Sequence, residues 1–445
     1  MAGALEGARL IPCDEGEAMK TDDRALLASL FDAAVAAADP RRALAAHLPE
    51  RPKGRTVVIG AGKGAAQLAA AFEDLWQAPL EGVVVTRYGY GCATRQIKVL
   101  EAAHPVPDDA GLAASQALFD AVSGLLPEDL VVALICGGGS ALLAAPAEGL
   151  TLDDEVALNR ALLASGAPIG AMNAIRKQVS RIKGGRLAAA AHPARMVSLI
   201  VSDVPGDDPA QVASGPTVPD AVGRAEALKA VRDHAIDLPE RIRRHLETAP
   251  EDAPHPDDSR FAGHEVQVIA SAARSLEAAA EVARAAGVEA VILSDAIEGE
   301  SREVARMHAA MAREVARRGR PFAPPVVMLS GGETTVTIRG DHGRGGRNSE
   351  FMLSLALEIE GCAGITALAA DTDGIDGSEE NAGAFADGQT VARMRALGLD
   401  PAALLAGHDA WRAFDAVDQL FITGPTGTNV NDLRAILIRE RVTRY

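Results

Sequence analysis

The chain has 445 residues, 48% of them hydrophobic and 24% charged, which is enough for two domains with packed cores. The formal net charge of −17 disfavours nucleic acid and anionic membranes as partners, although local cations can still bind a nucleotide. The four cysteines are scattered, the first residues do not resemble a signal peptide, and no apolar run approaches the ~18 residues of a membrane span. We therefore expect a cytoplasmic protein.

Short β-type runs alternate with alanine-rich helical stretches along the chain. Strands are predicted in RTVVIG, EGVVVT, IKVLEA, LVVALIC and MVSLIVSDV, with helices between them. This alternation is typical of a parallel sheet covered by helices on both faces. The proline-rich, acidic segment 249–264 predicts a linker, and EVQVIAS opens a second series of strands behind it. We therefore predict two α/β domains, at 1–250 and 260–445.

The first strand runs into a glycine-rich turn, GAGKGA at residues 60–65, which fits the relaxed dinucleotide pattern G-x-G-x-x-A. Free N–H groups at such a turn bind phosphate. The next strand ends at Arg87 and lacks the acid that holds a ribose hydroxyl, although an arginine suits the 2′-phosphate of NADP. Gly64 follows Lys63 where a P-loop requires Ser or Thr. We interpret Lys63 as ligand-binding; a purely structural turn is the alternative.

A second glycine turn, CGGGS at residues 136–140, follows the fourth strand. Leu142 stands where a nucleophile elbow needs glycine, so a serine hydrolase is disfavoured. Two such turns in one domain indicate a ligand with more than one anionic group. The segment 173–190 adds five cations, which form either a solvated helix face or a counter-charge for phosphate.

Carboxylates stand at two strand ends. Asp203 follows MVSLIV, and a carboxylate there can bind Mg²⁺ or accept a hydroxyl proton. In the second half, DTDGIDG places Asp371, Asp373 and Asp376 after a strand, with one or two of them as Mg²⁺ or hydroxyl ligands or all three as turn formers. The loop GRGGRNSE brings Arg344 and Arg347 beside glycines, which suits recognition of phosphate or carboxylate. No His-Glu-x-x-His motif is present, so a zinc enzyme is disfavoured.

Taken together, these loops resemble the glycerate 2-kinase family with the C-terminal MOFRL domain, whose members often carry the older label hydroxypyruvate reductase. The resemblance extends along nearly the whole chain. One departure is Ser349, where the family commonly has Gln, and it puts only the role of that position in doubt. The motifs that carry the resemblance are GAGKG at Gly60, HPVPDDAG at His104, CGGGSALL at Cys136, NAIRKQVSRIKGGRLA at Asn173, SDVPGDDPAQVASGPTVPD at Ser202, LSGGETTV at Leu329, GRGGRNSE at Gly343, DTDGIDG at Asp371 and TGPTGTNVND at Thr423.

The resemblance implies an N-terminal Rossmann-like αβα sandwich and a C-terminal α/β domain with the MOFRL region at about 323–432, with the active site in the cleft between the domains. It implies that D-glycerate is phosphorylated by ATP with Mg²⁺ at its 2-hydroxyl, giving 2-phosphoglycerate and ADP. Lys63, Asp203 and Arg347 are the implied catalytic residues, and Asp203, Asp371 and Asp373 are the metal-ligand candidates. The substrate- and phosphate-binding candidates are Gly60, Gly62, Gly64, Gly137, Gly138, Gly139, Ser140, Arg181, Lys183, Arg344 and Asn348.

Two other functions stay open on the sequence. An NADPH-dependent hydroxypyruvate reductase would place the pyrophosphate on the turn at 60–65 and the 2′-phosphate on Arg87, without ATP or Mg²⁺. A non-catalytic sensor of the same fold would bind its ligand without turnover. For the oligomeric state, a homodimer is expected on general grounds alone.

Overall fold

The computed structural model describes residues 15–338 and 340–440, with no side chains for 15–21 or 205. The helices are α1 Glu15–Ala37, α2 Pro40–Ala45, α3 Ala65–Trp76, α4 Asp109–Ala121, α5 Gly139–Leu142, α6 Leu152–Ser165, α7 Ile169–Gln178, α8 Arg186–Ala190, α9 Arg224–Asp233, α10 Glu240–Thr248, α11 Ala272–Ala285, α12 Ser301–Arg318, α13 Arg347–Glu358, α14 Thr390–Ala396, α15 Pro401–Ala406 and α16 Ala410–Asp415. The strands are β1 Thr56–Ala61, β2 Glu81–Arg87, β3 Ile97–Ala102, β4 Leu130–Cys136, β5 Arg195–Val201, β6 Glu265–Ala270, β7 Glu289–Ser294, β8 Gly299–Glu300, β9 Val326–Ser330, β10 Thr334–Thr335, β11 Ile365–Asp371, β12 Gly383–Asp387, β13 Leu420–Phe421 and β14 Asp432–Ile438.

The described chain divides into two compact units. One, the parallel-sheet unit, contains residues 35–275 and 426–431. The other, the mixed-sheet unit, contains the described residues of 15–34, 276–425 and 432–440. Two segments depart from the predicted division at 250–260. EVQVIAS supplies β6, which we expected in the second domain, but it pairs with β5 and so completes the first sheet. Helix α1 belongs mainly to the mixed-sheet unit, where Phe31 packs edge-on against Phe421 at 5.0 Å.

All six strands of the parallel-sheet unit run parallel, in the order β3-β2-β1-β4-β5-β6. Neighbouring strand residues point to opposite faces, so Val57 and Ile59 join one buried cluster and Val58 joins the other. Helix α4 covers the first face with Leu118, and α3 covers the second with Phe72. Because both faces are buried, the strands read as continuous apolar runs, and the predicted Rossmann-like sandwich is confirmed.

The mixed-sheet unit has six strands in the order β13-β12-β11-β14-β9-β7. Only β7 and β9 pair in parallel, whereas β14 and β12 both run antiparallel to β11. Its core combines residues of α12 and α13, such as Ala309 and Phe351, with strand residues such as Ile436. A short pair, β8 and β10, forms a separate ribbon. The predicted α/β class is therefore confirmed for this half as well.

Among residues 15–338 and 340–440, no helix combines the length and the apolar character that crossing a bilayer would require.

Candidate active site

The turn after β1 is fixed by its neighbours on both sides. A Cβ on Gly62 would lie 2.3 Å from the carbonyl oxygen of Cys136, and its φ of 133° also favours glycine. The N–H of Lys63 donates to the carbonyl of Gly137 at 2.9 Å, and the hydroxyl of Thr86 donates to the carbonyl of Lys63 at 3.0 Å. The backbone of Lys63 is thus anchored to the strand ends on either side of β1.

The other two glycines of this turn have different neighbours. Gly60 lies within β1, where a Cβ would be 2.6 Å from the carbonyl oxygen of Leu134, so close strand packing accounts for this glycine. The N–H of Gly64 donates to Sγ of Cys136 at 3.2 Å and is therefore already bonded within the protein. Burial raises the pKa of the Cys136 thiol to about 12, so this sulfur is a neutral acceptor.

The glycines after β4 form a turn on which three polar side chains lie. A Cβ on Gly137 would be 2.0 Å from Oδ2 of Asp203. A Cβ on Gly138 would be 2.9 Å from Cγ of Lys63 and 3.3 Å from Nε2 of His104. We call the residues Gly137, Gly138, Lys63, His104 and Asp203 the switch-point nest. It places a cation, an imidazole and a carboxylate around one glycine turn.

The position of the switch-point nest follows from the sheet topology. The strand order reverses between β1 and β4, and ligands of open α/β sheets bind at the carboxyl ends of the strands at such a reversal. Lys63 follows β1, Gly137 follows β4, and Asp203 follows the next strand, β5. The carbonyl of Asp203 also accepts a hydrogen bond from Nδ2 of Asn431 at 2.9 Å, in the same unit.

His104 is a member of the nest that the sequence analysis did not select as a site residue. It follows β3, and burial, with the positive charges of Lys63 and Arg87, lowers its pKa to about 4. The imidazole is therefore neutral at neutral pH and can donate or accept one hydrogen bond. The motif HPVPDDAG at a strand end was the signal available in the sequence.

Two cations predicted to bind phosphate, Lys183 and Arg181, contact protein groups, and only Lys183 is buried. Nζ of Lys183, 2% exposed, donates to Glu155 at 2.6 Å and to the carbonyl of Leu143 at 2.8 Å. Nε of Arg181 donates to the carbonyl of Pro146 at 3.1 Å, although the side chain is exposed. Since the charge of Lys183 is neutralised inside the unit, we leave Lys183 out of the proposed site.

In the mixed-sheet unit, Arg347 begins α13 and binds three carboxylates. Its guanidinium donates to Asp432 at 2.8 Å, to Glu333 at 2.8 Å and to Asp371 at 2.6 Å. Burial lowers the pKa of Arg347, but the three carboxylates outweigh burial and raise it above its ordinary value. Nδ2 of Asn348 donates to the same oxygen of Asp432 at 2.8 Å. Arg347 and Asn348 therefore share one acidic partner.

The aspartates after β11 have separate roles. Both oxygens of Asp371 are occupied, one by Arg347 and the other by the N–H of Asp373 at 3.0 Å. Burial raises the pKa of Asp371 well above its ordinary value; Arg347 opposes this, and Asp432 adds to it. Asp373 accepts from the N–H of Ile375 at 2.9 Å. These bonds favour the turn-forming interpretation over a metal site at Asp371.

The carboxylate of Asp376 caps α13 and binds Ser349, the position at which the sequence departs from the family. The N–H and hydroxyl of Ser349 donate to Oδ2 of Asp376 at 2.7 and 2.6 Å, and the N–H of Asn348 donates to Oδ1 at 2.9 Å. An acceptor at a helix N-terminus satisfies donors that have no partner within the helix. Asp376, with Ser349 as one of its donors, therefore fixes the helix start from which Arg347 projects.

Arg344 lies apart from the cluster of carboxylates around Arg347. Its guanidinium stacks 3.7 Å from the ring centroid of Trp411 and forms an ion pair with Glu379, and the side chain is exposed. A cavity of about 500 Å³ opens beside Arg347, lined also by Glu333, Glu350 and His408.

Within the part of the chain that the structure describes, no three His, Cys, Asp or Glu side chains are grouped to hold a metal ion.

The parallel-sheet unit has a lysine, an imidazole and a carboxylate at a glycine turn at its switch point, and the mixed-sheet unit holds Arg347 among three carboxylates. These features are those of an α/β enzyme. Residues 326–432 match the MOFRL family, and residues 26–247 match a family described as a domain of unknown function (DUF4147). The chain belongs to the glycerate kinase family that carries the MOFRL domain, and it is a kinase.

Similarity to known proteins extends along almost the whole chain. A protein of Pyrococcus horikoshii named glycerate 2-kinase is 39% identical over 87% of this chain and 88% of its own. The D-glycerate 2-kinase of Thermotoga maritima is 37% identical over 88% and 93%. A crystal structure of glycerate kinase from the same organism superimposes with a TM-score of 0.84, covering 95% of this chain and 100% of its own at 35% identity. An Agrobacterium vitis protein, 52% identical over 93% and 94%, carries the provisional name hydroxypyruvate reductase.

Proposed function

We propose that this enzyme transfers the γ-phosphoryl group of ATP to the 2-hydroxyl of D-glycerate, giving 2-phosphoglycerate and ADP. The observation that carries the proposal is the switch-point nest, which combines Lys63 and Asp203 at a glycine turn in a chain similar to glycerate 2-kinases. Phosphoryl transfer requires little covalent chemistry from the protein, so positioning and neutralisation of charge dominate the catalysis.

The switch-point nest supplies the groups that this reaction needs. We assign Lys63 to the transferring phosphoryl group or to the substrate carboxylate, because its ammonium is a mobile point charge on a fixed backbone. We assign the carboxylate of Asp203 as the general base that receives the proton of the reacting hydroxyl. His104, neutral at neutral pH, adds one hydrogen bond to the bound anion without adding charge. Backbone N–H groups of a glycine turn can add donors to an anion site of this kind.

Arg347 is the third proposed catalytic residue. Its three ion pairs hold the guanidinium in one orientation, and its remaining exposure leaves it beside the adjoining cavity. A preorganised guanidinium costs little reorganisation when charge develops on a phosphoryl group. The family resemblance predicts that Arg347 and Lys63 act on one substrate in a cleft between the domains, and this stays a prediction. The homodimer, expected on general grounds, also stays a prediction.

Mg²⁺ is implied by the kinase reaction, in which it neutralises phosphate charge. Mg²⁺ prefers oxygen ligands and is often held by one or two carboxylates together with the phosphates of the substrate. Asp203, at the glycine nest, has the donor type and the position for this role. Asp371 fits less well because both of its oxygens already accept hydrogen bonds, and Asp373 remains a secondary candidate.

A second candidate function is NADPH-dependent reduction of hydroxypyruvate, which the name of the 52% identical relative favours. In that case Arg87 would bind the 2′-phosphate of NADPH. In the structure the Arg87 guanidinium stacks 4.3 Å from the ring centroid of Tyr90, and no acid follows β2 to hold an NAD ribose. We rank this function second.

One experiment separates the two functions. The purified protein is given D-glycerate, ATP and Mg²⁺, and the product is identified by ³¹P and ¹³C NMR, while NADPH oxidation is followed in parallel with hydroxypyruvate. We expect Mg²⁺-dependent formation of 2-phosphoglycerate and no oxidation of NADPH. Formation of 3-phosphoglycerate would overturn the regiochemistry but keep the kinase. Reduction of hydroxypyruvate without ATP consumption would overturn the proposal.

A further inference from the structure

A chain of hydrogen bonds in the parallel-sheet unit connects a half-buried cation, Arg176, with the glycine turn after β4. Nη1 of Arg176 donates to Oδ1 of Asn173 at 3.1 Å, and this oxygen lies 2.9 Å from Oγ of Ser214. Oγ of Ser214 lies in turn 2.7 Å from Oγ of Ser140, which directly follows the nest glycines. We call Arg176, Asn173, Ser214 and Ser140 the relay.

The orientation of the Asn173 amide is fixed from both sides. A guanidinium can only donate, so the amide atom facing Arg176 is the oxygen. The opposite atom, Nδ2, donates at 3.1 Å to the carbonyl oxygen of Gln211, which can only accept. A reversed amide would oppose donor to donor on one side and acceptor to acceptor on the other.

This orientation determines the hydroxyl hydrogens of both serines. Ser214 has one hydrogen, and it must go to Oδ1 of Asn173, because two oxygens 2.9 Å apart without a hydrogen between them would repel each other. The bond between the serines is then donated by Ser140. The hydrogen of Ser140 is thus used inside the protein, and its oxygen presents only lone pairs to a ligand.

The backbone around Ser214 keeps this arrangement in place. Ser214 is fully buried, and Ala213, Ser214 and Gly215 have consecutive φ values of 53°, 61° and 61°. Two successive non-glycine residues in the left-handed region are energetically unfavourable and persist only where the surroundings impose them. A Cβ on Gly139 would lie 2.6 Å from Cβ of Ala213, so this turn packs directly against the nest.

We propose that Ser140 accepts a hydrogen bond from the non-reacting hydroxyl of the hydroxy acid and does not bind the phosphoryl group. This inference rests on the proposed function. An oxygen with only lone pairs repels phosphate oxygens but complements a hydroxyl donor. The partner hydroxyl keeps its proton, because a serine hydroxyl is too weak a base to remove it; the reacting hydroxyl needs the carboxylate of Asp203. Ser140 therefore recognises a second hydroxyl on the substrate.

An oxygen with only lone pairs could also coordinate Mg²⁺, and the test must distinguish the two ligands. The structure favours the hydroxyl, because Arg176 and Ser214 donate to the same oxygen of Asn173, so this group of side chains already contains one full positive charge and a neutral donor adds no second one. If Ser140 instead binds Mg²⁺, the loss of activity in a Ser140 variant should depend on the Mg²⁺ concentration. The loss of affinity should then be the same for every hydroxy acid.

The test compares wild type and Ser140→Ala on D-glycerate and on D-lactate, which lacks the second hydroxyl. The D-glycerate KM is measured at saturating ATP, and D-lactate is measured as a competitive inhibitor. We expect the D-glycerate KM to rise roughly five- to tenfold with kcat nearly unchanged. The inhibition constant of D-lactate, the KM of ATP and the half-saturating Mg²⁺ concentration should stay within twofold. Ser123→Ala, at an exposed serine of the same unit, is the matched control.

Ser214→Ala provides a second measurement, because it removes the acceptor of the Ser140 hydrogen and lets Ser140 donate. We expect a smaller rise of the D-glycerate KM in this variant, with D-lactate again unaffected. Circular dichroism confirms that each variant is folded. Equal losses for both acids, a weaker ATP interaction or a higher Mg²⁺ requirement would overturn the inference. A wild-type protein that does not phosphorylate D-glycerate would overturn the proposed function itself, and this inference with it.

Discussion

Gly137 and Asp203 approach each other so closely that a single added carbon would collide with the carboxylate: a Cβ on Gly137 would lie 2.0 Å from Oδ2. The two residues follow adjacent parallel strands, β4 and β5, and the contact positions the acid relative to the nest. It gives a way to displace Asp203 without changing its chemistry.

We predict that Gly137→Ala lowers kcat by roughly 100-fold, because a displacement of about 1 Å in a catalytic group has an effect of this size. The φ of Gly137 lies outside the left-handed region, so the backbone accepts alanine and the fold should persist. Steady-state kinetics with D-glycerate and ATP check this. Gly170→Ala is the matched control, because an added Cβ there meets no atom within 4 Å. Activity in Gly137→Ala equal to that of the control would show that the position of Asp203 is unimportant.

Lys63 is predicted to be catalytic and Lys183 to bind substrate or phosphate, and the two lysines have different surroundings in the structure. We expect Lys63→Ala to reduce kcat/KM by roughly 100- to 1,000-fold with little change in the free energy of unfolding. Lys183→Ala leaves Glu155 buried without its cation, so we expect it to cost about 3–5 kcal/mol of stability. Urea unfolding and steady-state kinetics on both variants measure the contrast. A stable but inactive Lys183→Ala would return this lysine to the active site.

Removing Arg347 should affect both catalysis and stability. Arg347→Ala leaves the buried carboxylate of Asp371 without its cation, so we expect kcat to fall by orders of magnitude and stability to fall by about 3 kcal/mol. Burial already raises the pKa of Asp371, and loss of Arg347 raises it further. A carboxyl group whose pKa is higher in the folded than in the unfolded protein lowers stability at pH values above the unfolded pKa. Below that pKa it has no such effect. The deficit relative to wild type should therefore shrink as pH falls from 8 towards 4.

Urea unfolding of Arg347→Ala at several pH values tests this dependence. The double variant Arg347→Ala/Asp371→Asn removes the buried charge as well, so it should regain part of the lost stability and lose the pH dependence. A deficit of Arg347→Ala that is constant with pH would mean that Asp371 is not the group left unpaired.

The elements that bear the switch-point nest could be predicted because their signals are local. The strands β1, β4 and β5 are buried on both faces and therefore read as apolar runs, and the glycines after two of them mark the turns. Ligands bind at the carboxyl ends of parallel strands, and this rule selects Lys63 and Asp203 by their places directly after β1 and β5.

The features that could not be predicted depend on partners distant in sequence. Lys183 is neutralised by Glu155, and Asp371 is occupied by Arg347; neither contact leaves a trace in the local pattern. The strand EVQVIAS follows a linker-like segment, yet it pairs with β5 and supplies hydrogen-bond partners to the edge of that sheet. The direction of the hydrogen bond at Ser140 could not be predicted either, because it depends on the positions of four side chains in the folded protein.

A buried imidazole predicts how stability responds to acid. His308 is 1% exposed; its Nδ1 donates to the carbonyl of Val304 at 2.9 Å, and its Nε2 lies 3.0 Å from Oγ of Ser330. Burial, the largest cause, lowers its pKa to about 4, so below pH 6.5 the unfolded chain binds a proton that the folded protein does not. Wild type should therefore lose stability as pH falls from 6.5 to 5, by about 2 kcal/mol from this group.

The test is urea unfolding of His308→Gln between pH 6.5 and 5, a range above the ordinary titration of carboxylates. Whatever its stability at pH 7, this variant should lose about 2 kcal/mol less than wild type across the range, because glutamine does not titrate. His255→Gln, at an exposed histidine, should keep the wild-type slope. If His308→Gln also keeps that slope, the imidazole of His308 titrates equally in the folded and unfolded protein, and the acid sensitivity arises elsewhere.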